Sequence, residues 1–297
     1  VLRIDLDQSV STSVLARQML VANQLDQTTL ITAKIQTGGI GTFGRAWHSP
    51  PGGLWTTLAH PLPHAQASPS FAEWTRTLGL RVGWACRAAV QWALDQASRG
   101  VPGQGSTLVE STARAQLKLP NDVLLVRAES AKLQSMQPTA PGEKVAGVLT
   151  ELVASPAGQP WALVGVGINA NIALADLPVR PSFPATSLLA HTGHACDLLG
   201  LREALVDRLL VALDAQSLTS AMLADLSANL AWRGAWVEAT EILASPSSTA
   251  AGVRSGTALA GRFAGLDDAG CVLVEPAFGP LVTLSPGARL TWSAARS

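Results

Sequence analysis

The chain has 297 residues in which 21 Lys and Arg balance 21 Asp and Glu, so it lacks the basic excess of a dedicated nucleic-acid binder. Hydrophobic residues make up 47% and charged residues 14%, which excludes a disordered chain and leaves ample material for a core. No run approaches the ~18 consecutive apolar residues of a membrane-spanning helix, and the opening Val1-Leu2-Arg3-Ile4-Asp5 lacks the pattern of a leader peptide. A cytoplasmic protein with neither nucleic-acid nor membrane partner is expected. Three scattered cysteines (Cys86, Cys196, Cys271) form no Cys-x-x-Cys pair and no even framework, in keeping with a reducing compartment. Only four of the 21 basic residues are lysines, namely Lys34, Lys118, Lys132 and Lys144.

Ser11-Thr12-Ser13 precede apolar Val14, Leu15, Met19, Leu20 and Val21, which predicts an N-capped amphipathic helix ending near Asn23. The β-branched run Thr29 to Ile35 predicts a strand that feeds Gln36-Thr37-Gly38-Gly39-Ile40-Gly41-Thr42-Phe43-Gly44-Arg45-Ala46-Trp47. Leu54 to Leu58 reads as the next strand, followed by a Pro/His/Ser-rich loop to about Ser70. Helical spacing is clearest from Leu80 to Ala97. Residues 99–114 and 128–142 are rich in Gly, Ser, Pro, Thr and Gln and read as surface insertions. Around them, Gln116 to Lys118, Asp122 to Val126, Lys144 to Val153 and Trp161 to Val166 are short and rich in Val and Leu, as expected of one central sheet. Helical periodicity returns over Leu201 to Leu213 and Ser220 to Trp232. Beyond it, short strands at Val237 to Leu243, Thr257 to Leu266, Gly270 to Val274, Leu281 to Leu284 and Arg289 to Trp292 describe a small β-barrel or sandwich. The expected domains are therefore 1–232 and 233–297.

Four segments carry chemistry. Four glycines in the seven residues 38–44 leave backbone amides free to cradle an anion, with Arg45 as a fixed cation, although a flexible turn is the favoured reading of this loop taken alone. Its Gly39-x-Gly41-x-x-Gly44 spacing resembles a dinucleotide fingerprint, but Trp47 and Pro50-Pro51 oppose the following helix that such a fold requires. In Lys118-Leu119-Pro120-Asn121-Asp122 the proline fixes the chain between two strands and presents three polar groups at a sheet end. Lys144 opens an otherwise apolar strand through Ala146, Gly147 and Leu149, where it is either functional or a snorkelling edge lysine. Gly165-Val166-Gly167-Ile168-Asn169 pairs glycines that permit close approach with an Asn that both donates and accepts.

In this order the segments resemble the catalytic domain of the biotin protein ligases, within the biotin/lipoate ligase superfamily. Ser11-Thr12 is similar to the family's Ser-Thr pair and residues 36–47 to its Gly-Arg-Gly-x-x-Gly-Arg-x-Trp loop. Residues 118–122 are similar to its Lys-Trp-Pro-Asn-Asp, 144–147 to its Lys-x-Ala-Gly, and 165–169 to its Gly-x-Gly-Ile-Asn. Ala185-Thr186-Ser187-Leu188 is similar too, and the tail with Gly261, Gly270 and Leu273 looks like the family's SH3-like domain. The resemblance implies an α+β fold: a mixed central sheet with helices packed on it, like that of class II aminoacyl-tRNA synthetases, plus a small C-terminal SH3-like β-barrel. It further implies a monofunctional ligase, since a helix-turn-helix would lie before residue 1.

The implied reaction forms biotinyl-AMP from biotin and ATP with Mg²⁺, then passes biotin to a lysine of a carboxylase's biotin-carrier domain. Lys144 would bridge the biotin carboxylate and the α-phosphate, with Arg45 on phosphate. Ser11, Thr12, Gln36, Gly39, Gly147, Gly165 and Gly167 would bind biotin. Gly41, Thr42, Gly44, Arg45, Trp47, Lys118, Asn121, Asp122 and Asn169 would hold the nucleotide or adenylate, with Asp122 also placed on Mg²⁺. A homodimer through the central sheet is compatible with the resemblance. Two features depart from the family. Ile40 and Thr42 stand where its loop has arginines, and each lost charge-assisted bond is worth ~1.5 to 3 kcal/mol, so weaker retention of the adenylate is expected. Leu119 replaces a Trp. The departures keep open a noncatalytic biotin- or nucleotide-binding homologue, or a ligase for another small carboxylic acid. No cysteine is placed as a nucleophile, and the five histidines show no zinc-ligand spacing.

Overall fold

A computed structural model describes residues 1–63, 69–99, 113–127, 142–179, 184–243, 254–255 and 258–293. Seven strands build the central sheet: β1 (Leu2–Ser9), β2 (Thr29–Gln36), β3 (Leu54–Pro61), β4 (Ala113–Lys118), β5 (Asp122–Arg127), β6 (Glu143–Ala154) and β7 (Pro160–Ile168). Their order is β1-β2-β3-β7-β6-β5-β4, with β1 and β2 parallel and the other neighbours antiparallel, so the sheet is mixed as expected. The central strands alternate their side chains between two apolar layers, which is why they read as continuous hydrophobic runs. Leu30, Leu58 and Val164 face one core, whereas Ile31, Ala59 and Leu163 face the other.

Helix α1 (Thr12–Val21) closes the second layer with Ala16 and Leu20, and Ser11 Oγ caps it by accepting from Val14 N. On the opposite face lie α2 (Pro69–Arg76), α3 (Leu78–Ser98) and α5 (Leu198–Asp214), while the short α4 (Leu188–Thr192) and α6 (Ser220–Ala228) fill the ends. Arg81 on α3 is fully buried, yet its guanidinium lies over the Trp74 ring and donates to the carbonyls of Trp74, Ala212 and Ala215, closing the C-terminal end of α5. Among the described residues, no helix is long and apolar enough to cross a membrane.

The tail forms a second, antiparallel sheet: β8 (Trp236–Thr240), β11 (Leu259–Leu266), β12 (Val272–Pro276), β13 (Val282–Leu284) and β14 (Arg289–Trp292), in the order β13-β12-β11-β8-β14. The pair β9 (Ile242–Leu243) and β10 (Arg254–Ser255) stands apart, so the expected strand Val237 to Leu243 is interrupted. Helix α6 stops at Ala228, short of the expected Trp232, because Asn229 to Ala231 leave the helix to hydrogen-bond Leu117 of β4. The sequence predicts no counterpart for β1, for helix α2, which begins at Pro69 inside the expected loop, for the short helix α4, or for β10. The bodies of the two insertions, residues 100–112 and 128–141, lie outside the described residues.

Candidate active site

Two adjoining pockets open along one end of the central sheet. The inner one is lined by Ser11, Thr12, Ser13, Gln36 and Thr56 at one end and by Gly147, Gly165 and Gly167 along its side. Its polar wall is tightly specified: Gln36 Oε1 accepts from Thr12 N at 2.8 Å and Thr12 Oγ1 at 3.2 Å, and Gln36 Nε2 donates to Ser49 Oγ at 2.9 Å. Thr57 Oγ1 donates to Thr12 Oγ1 at 2.9 Å and lies 3.0 Å from Ser13 Oγ, so a chain of hydroxyls runs along the wall. Such a wall offers both donors and acceptors to a compact polar head group.

The glycines are dictated by what lies over them. Gly147 and Gly167 are direct partners across β6 and β7, and the Trp47 indole rests on this side-chain-free spot. A Cβ on Gly167 would meet Trp47 Nε1 at 2.6 Å, and one on Gly165 would meet Ser13 Oγ at 2.5 Å. Trp47 lines both pockets and forms the partition between them. Its Nε1 is buried and has no hydrogen-bond partner in the structure.

The outer pocket is lined by Arg45, Trp47, His48, Lys118, Asp122, Lys144 and Asn169, and by Trp232, Arg289 and Trp292 from the chain's final part. At the seam between the pockets sits Asp122, which β5 places opposite Lys118 on one side and Gly147 on the other. One of its oxygens pairs with Lys118 Nζ at 3.0 Å and the other with Lys144 Nζ. The Lys144 ammonium also lies 4.9 Å from the centre of the Trp47 ring. Burial pushes Lys144 below the ordinary lysine range, opposed by Asp122 and reinforced by Lys118 and Arg45. For Asp122 burial acts to raise the carboxyl, but Lys144 and then Lys118 outweigh it and hold it below the usual carboxylate range. With both oxygens ion-paired, and no other carboxylate among the described residues that line either pocket, this donor set does not fit a protein-held Mg²⁺.

Lys144 is held at its backbone by the segment 184–187. Lys144 N donates to Pro184 O at 2.8 Å and Thr186 N to Lys144 O at 2.9 Å, while Asn169 Nδ2 donates to Thr186 O at 2.9 Å. Three segments distant in sequence thus lock one lysine at the junction. On the glycine loop, Arg45 donates to Thr42 through Nε to the carbonyl (3.2 Å) and Nη2 to the hydroxyl (3.0 Å). The thiols are poor nucleophiles: burial pushes Cys86 up to about 12 and Cys196 up to about 11.

Residues 6–169 match the family model described as the Biotin/lipoate A/B protein ligase family, more than half of the chain. The chain belongs to this family. Among curated relatives, the biotin--[acetyl-CoA-carboxylase] ligase of Paracoccus denitrificans is 28% identical over 271 residues, covering 88% of this chain and 89% of that protein. The bifunctional ligase/repressor BirA of Bacillus subtilis is 29% identical over 185 residues, 61% of this chain but only 45% of its own length. Of solved structures, the biotin protein ligase from Aquifex aeolicus in complex with biotin and ATP has a TM-score of 0.66 at 21% identity, covering 98% of this chain and 99% of that one. The biotin protein ligase from Leishmania major in complex with biotinyl-5-AMP has a TM-score of 0.55 at 20% identity, covering 96% and 98%. These structures share the fold of this family member.

Within this biotin/lipoate ligase fold, the residues singled out in the sequence fall into four groups. Ser11, Thr12, Gln36, Gly41, Thr42, Asn121, Gly147, Gly165 and Gly167 line the inner pocket, Lys118 and Asn169 the outer, and Arg45, Trp47, Asp122 and Lys144 both. Gly39 and Gly44 line neither. Gly39 is a packing glycine whose carbonyl accepts from Trp47 N at 2.8 Å, and Gly44 takes a left-handed turn with φ 70°. Asn121 Nδ2 is spent on Val148 O at 2.7 Å, so it secures the β4–β5 turn. Sequence reasoning missed Ser13, Trp232, Arg289 and Trp292. Ser13 was legible as the third polar residue of the cap; the other three come from the end of the chain and carry no motif.

Proposed function

We propose that this chain is an ATP-dependent biotin protein ligase. The observation that carries the reading is the Lys118–Asp122–Lys144 cluster at the junction of a hydroxyl- and amide-walled pocket with a cationic one. A small carboxylic acid whose polar head meets Gln36 and Thr12 directs its carboxylate along the glycine slot toward Lys144. A nucleotide in the outer pocket brings its α-phosphate to the same lysine from the other side.

In the first step a carboxylate oxygen attacks the α-phosphorus and pyrophosphate leaves; in the second the acceptor lysine amine attacks the acyl carbon and AMP leaves. Lys144 stabilises the oxygen charge that builds in both, Asp122 keeps that ammonium aimed and charged, and the pocket walls hold the reactants in register. Magnesium enters as part of the nucleotide substrate. The names of the Paracoccus relative and of the Aquifex and Leishmania structures support biotin as the acid, ATP as the nucleotide and a carboxylase's biotin-carrier domain as the acceptor. The reading includes a catalytic unit of residues 1–232 and a small unit of 233–297, in a cytoplasmic enzyme.

Purified protein supplied with ATP, Mg²⁺ and biotin should form biotinyl-AMP and pyrophosphate, and Lys144→Ala should abolish both. Exposed Ile40 on the glycine loop favours a second reading, a biotin-binding homologue without turnover. Biotin binding with no adenylate from the native chain would select it.

A further inference from the structure

Lys144 stands where the regular pairing of β6 breaks down on both sides. Toward β7 the ladder ends at the pair Ala146–Ile168, before it reaches the lysine. Toward β5 the register slips: Val123 faces Ala146 but Leu124 faces Lys144, so Val145 is the extra residue of a β-bulge. A bulge re-aims the side chains beside it, and the direction of the Lys144 ammonium therefore depends on how the first residues of β6 are held. In place of β7 they meet the segment 184–186, which bridges Lys144 in parallel and runs through the Ser187 cap into α4.

Helix α4 then reaches back to the start of β6. His191 sets its Nε2 3.0 Å from Glu143 Oε2; the His191 side chain is 4% exposed and that of Glu143 39%, so only the carboxylate side of the contact meets solvent. Because a carboxylate only accepts, the nitrogen facing it carries the proton and Nε2–H donates. Burial pushes His191 below the ordinary histidine range, opposed by Glu143 and reinforced by Arg127, so near neutral pH the donor is an uncharged imidazole. A closed circuit results: Glu143 and Lys144 lead through the backbone bonds of Pro184 and Thr186 to Ser187 and α4, and His191 returns to Glu143. Among the described residues that line the two pockets, neither Glu143 nor His191 appears.

We propose that Glu143 and His191 are a positioning pair for Lys144: their hydrogen bond ties α4 to the bulged start of β6 and so fixes where the ammonium points, without either side chain touching a ligand. The proposal rests on the ligase reading for what Lys144 does and concerns how this chain holds it.

The test compares the native chain with three variants: His191→Leu, which keeps bulk and removes the donor; His191→Gln, which restores an N–H at similar reach; and Glu143→Ala, at the half-open side of the contact. Two quantities are read. One is the single-turnover rate of biotinyl-AMP formation at saturating biotin and ATP. The other is the Cε NMR signal of Lys144, resolvable because the chain has four lysines and assigned by its loss in Lys144→Arg. His191→Leu and Glu143→Ala should each slow adenylate formation by about tenfold or more with KM for biotin and ATP within about twofold, since misplacing a charge-stabilising group costs rate and not ground-state binding. The double variant should be no slower than either single one, and His191→Gln should recover most of the rate. The Lys144 signal should move in His191→Leu and return in His191→Gln, with that of Lys34 unmoved.

Native rates in folded His191→Leu and Glu143→Ala overturn the proposal, as does a rate loss matched by weaker biotin or ATP binding, or a double variant in which the two losses multiply. Should His191→Leu fail to fold, Glu143→Ala decides alone. A native chain that makes no adenylate sinks the ligase reading, and the NMR arm still judges the pair: a Lys144 signal that shifts in His191→Leu and is restored in His191→Gln upholds it, and one that stays in place overturns it.

Discussion

Asp122 is the residue on which the site's electrostatics turn. It is flanked by two ammonium groups with its side chain only 14% exposed, so Asp122→Asn keeps the shape and leaves two lysines facing each other in a poorly solvated place. Breaking a buried pair in this way costs about 3 kcal/mol or more at neutral pH. The pH dependence has a definite sign. A carboxyl held below its unfolded value of about 3.9 gives its full stabilisation above that pH and loses it as the pH falls through the lowered folded value. The melting-temperature gap between the native chain and Asp122→Asn should therefore be widest near neutrality and close below about pH 4; a gap independent of pH would mean that packing, not charge, is lost. The same variant removes the group that raises Lys144, so the alkaline limb of adenylate formation should move to lower pH. Lys144 itself was legible because lysine is scarce in the chain and two of four fall in short polar motifs. Its partnership with Asp122 was not, since a register across β5 and β6 makes that contact and no spacing within either motif encodes it.

The same division holds for elements. Strands β5 and β7 were readable because burial on both faces leaves them almost uninterrupted in apolar residues, and β3 and β6 because each carries a run rich in Val, Leu, Ala or Trp, whereas β1 was not. It lies on the edge of the sheet, and its Arg3, Asp5 and Asp7 answer Glu203, Arg202 and Lys34 rather than a core. Helix α6 overran in the sequence reading because Leu230 and Trp232 prolong its apolar spacing, although they serve β4 and the second sheet. The glycines of β6 and β7 were legible as places of close approach, but only their pairing shows what approaches. That pairing makes Gly165→Ala a selective probe. Its methyl would press on Ser13 Oγ at the closed end of the inner pocket, and overpacking of this kind costs ~1 to 3 kcal/mol, or about five- to a hundredfold in affinity. Biotin affinity should fall by that factor while binding of ATP alone stays within about twofold. An equal loss for both ligands would show that the two pockets are not separately built.

At the scale of the whole molecule, the sequence shows a change of character near residue 232 and predicts two units, yet it does not show how they are joined. A single hydrophobic cluster contains Leu94 and Val90 of α3, Leu117 of β4, Trp232 of the connection, and Val237, Phe263 and Leu290 of the second sheet. Residues 229–231 extend the hydrogen bonding of β4, and the Trp232 and Trp292 rings meet edge-on at 5.8 Å. The turn at Gly270 packs so closely on α3 that a Cβ there would meet Leu80 Cδ1 at 2.9 Å. Two units that share one core and jointly wall the outer pocket should melt together. Calorimetry should give one transition, and Phe263→Ala, which empties a fully buried site at a cost of about 3 to 5 kcal/mol, should lower that transition as a whole. A variant whose second sheet melts first, leaving the larger unit at its native melting temperature, would show the two to be independent. Under a shared core, the same substitution should weaken nucleotide binding at temperatures where the chain is still folded, because Arg289 and Trp292 reach the outer pocket only while the second sheet is docked.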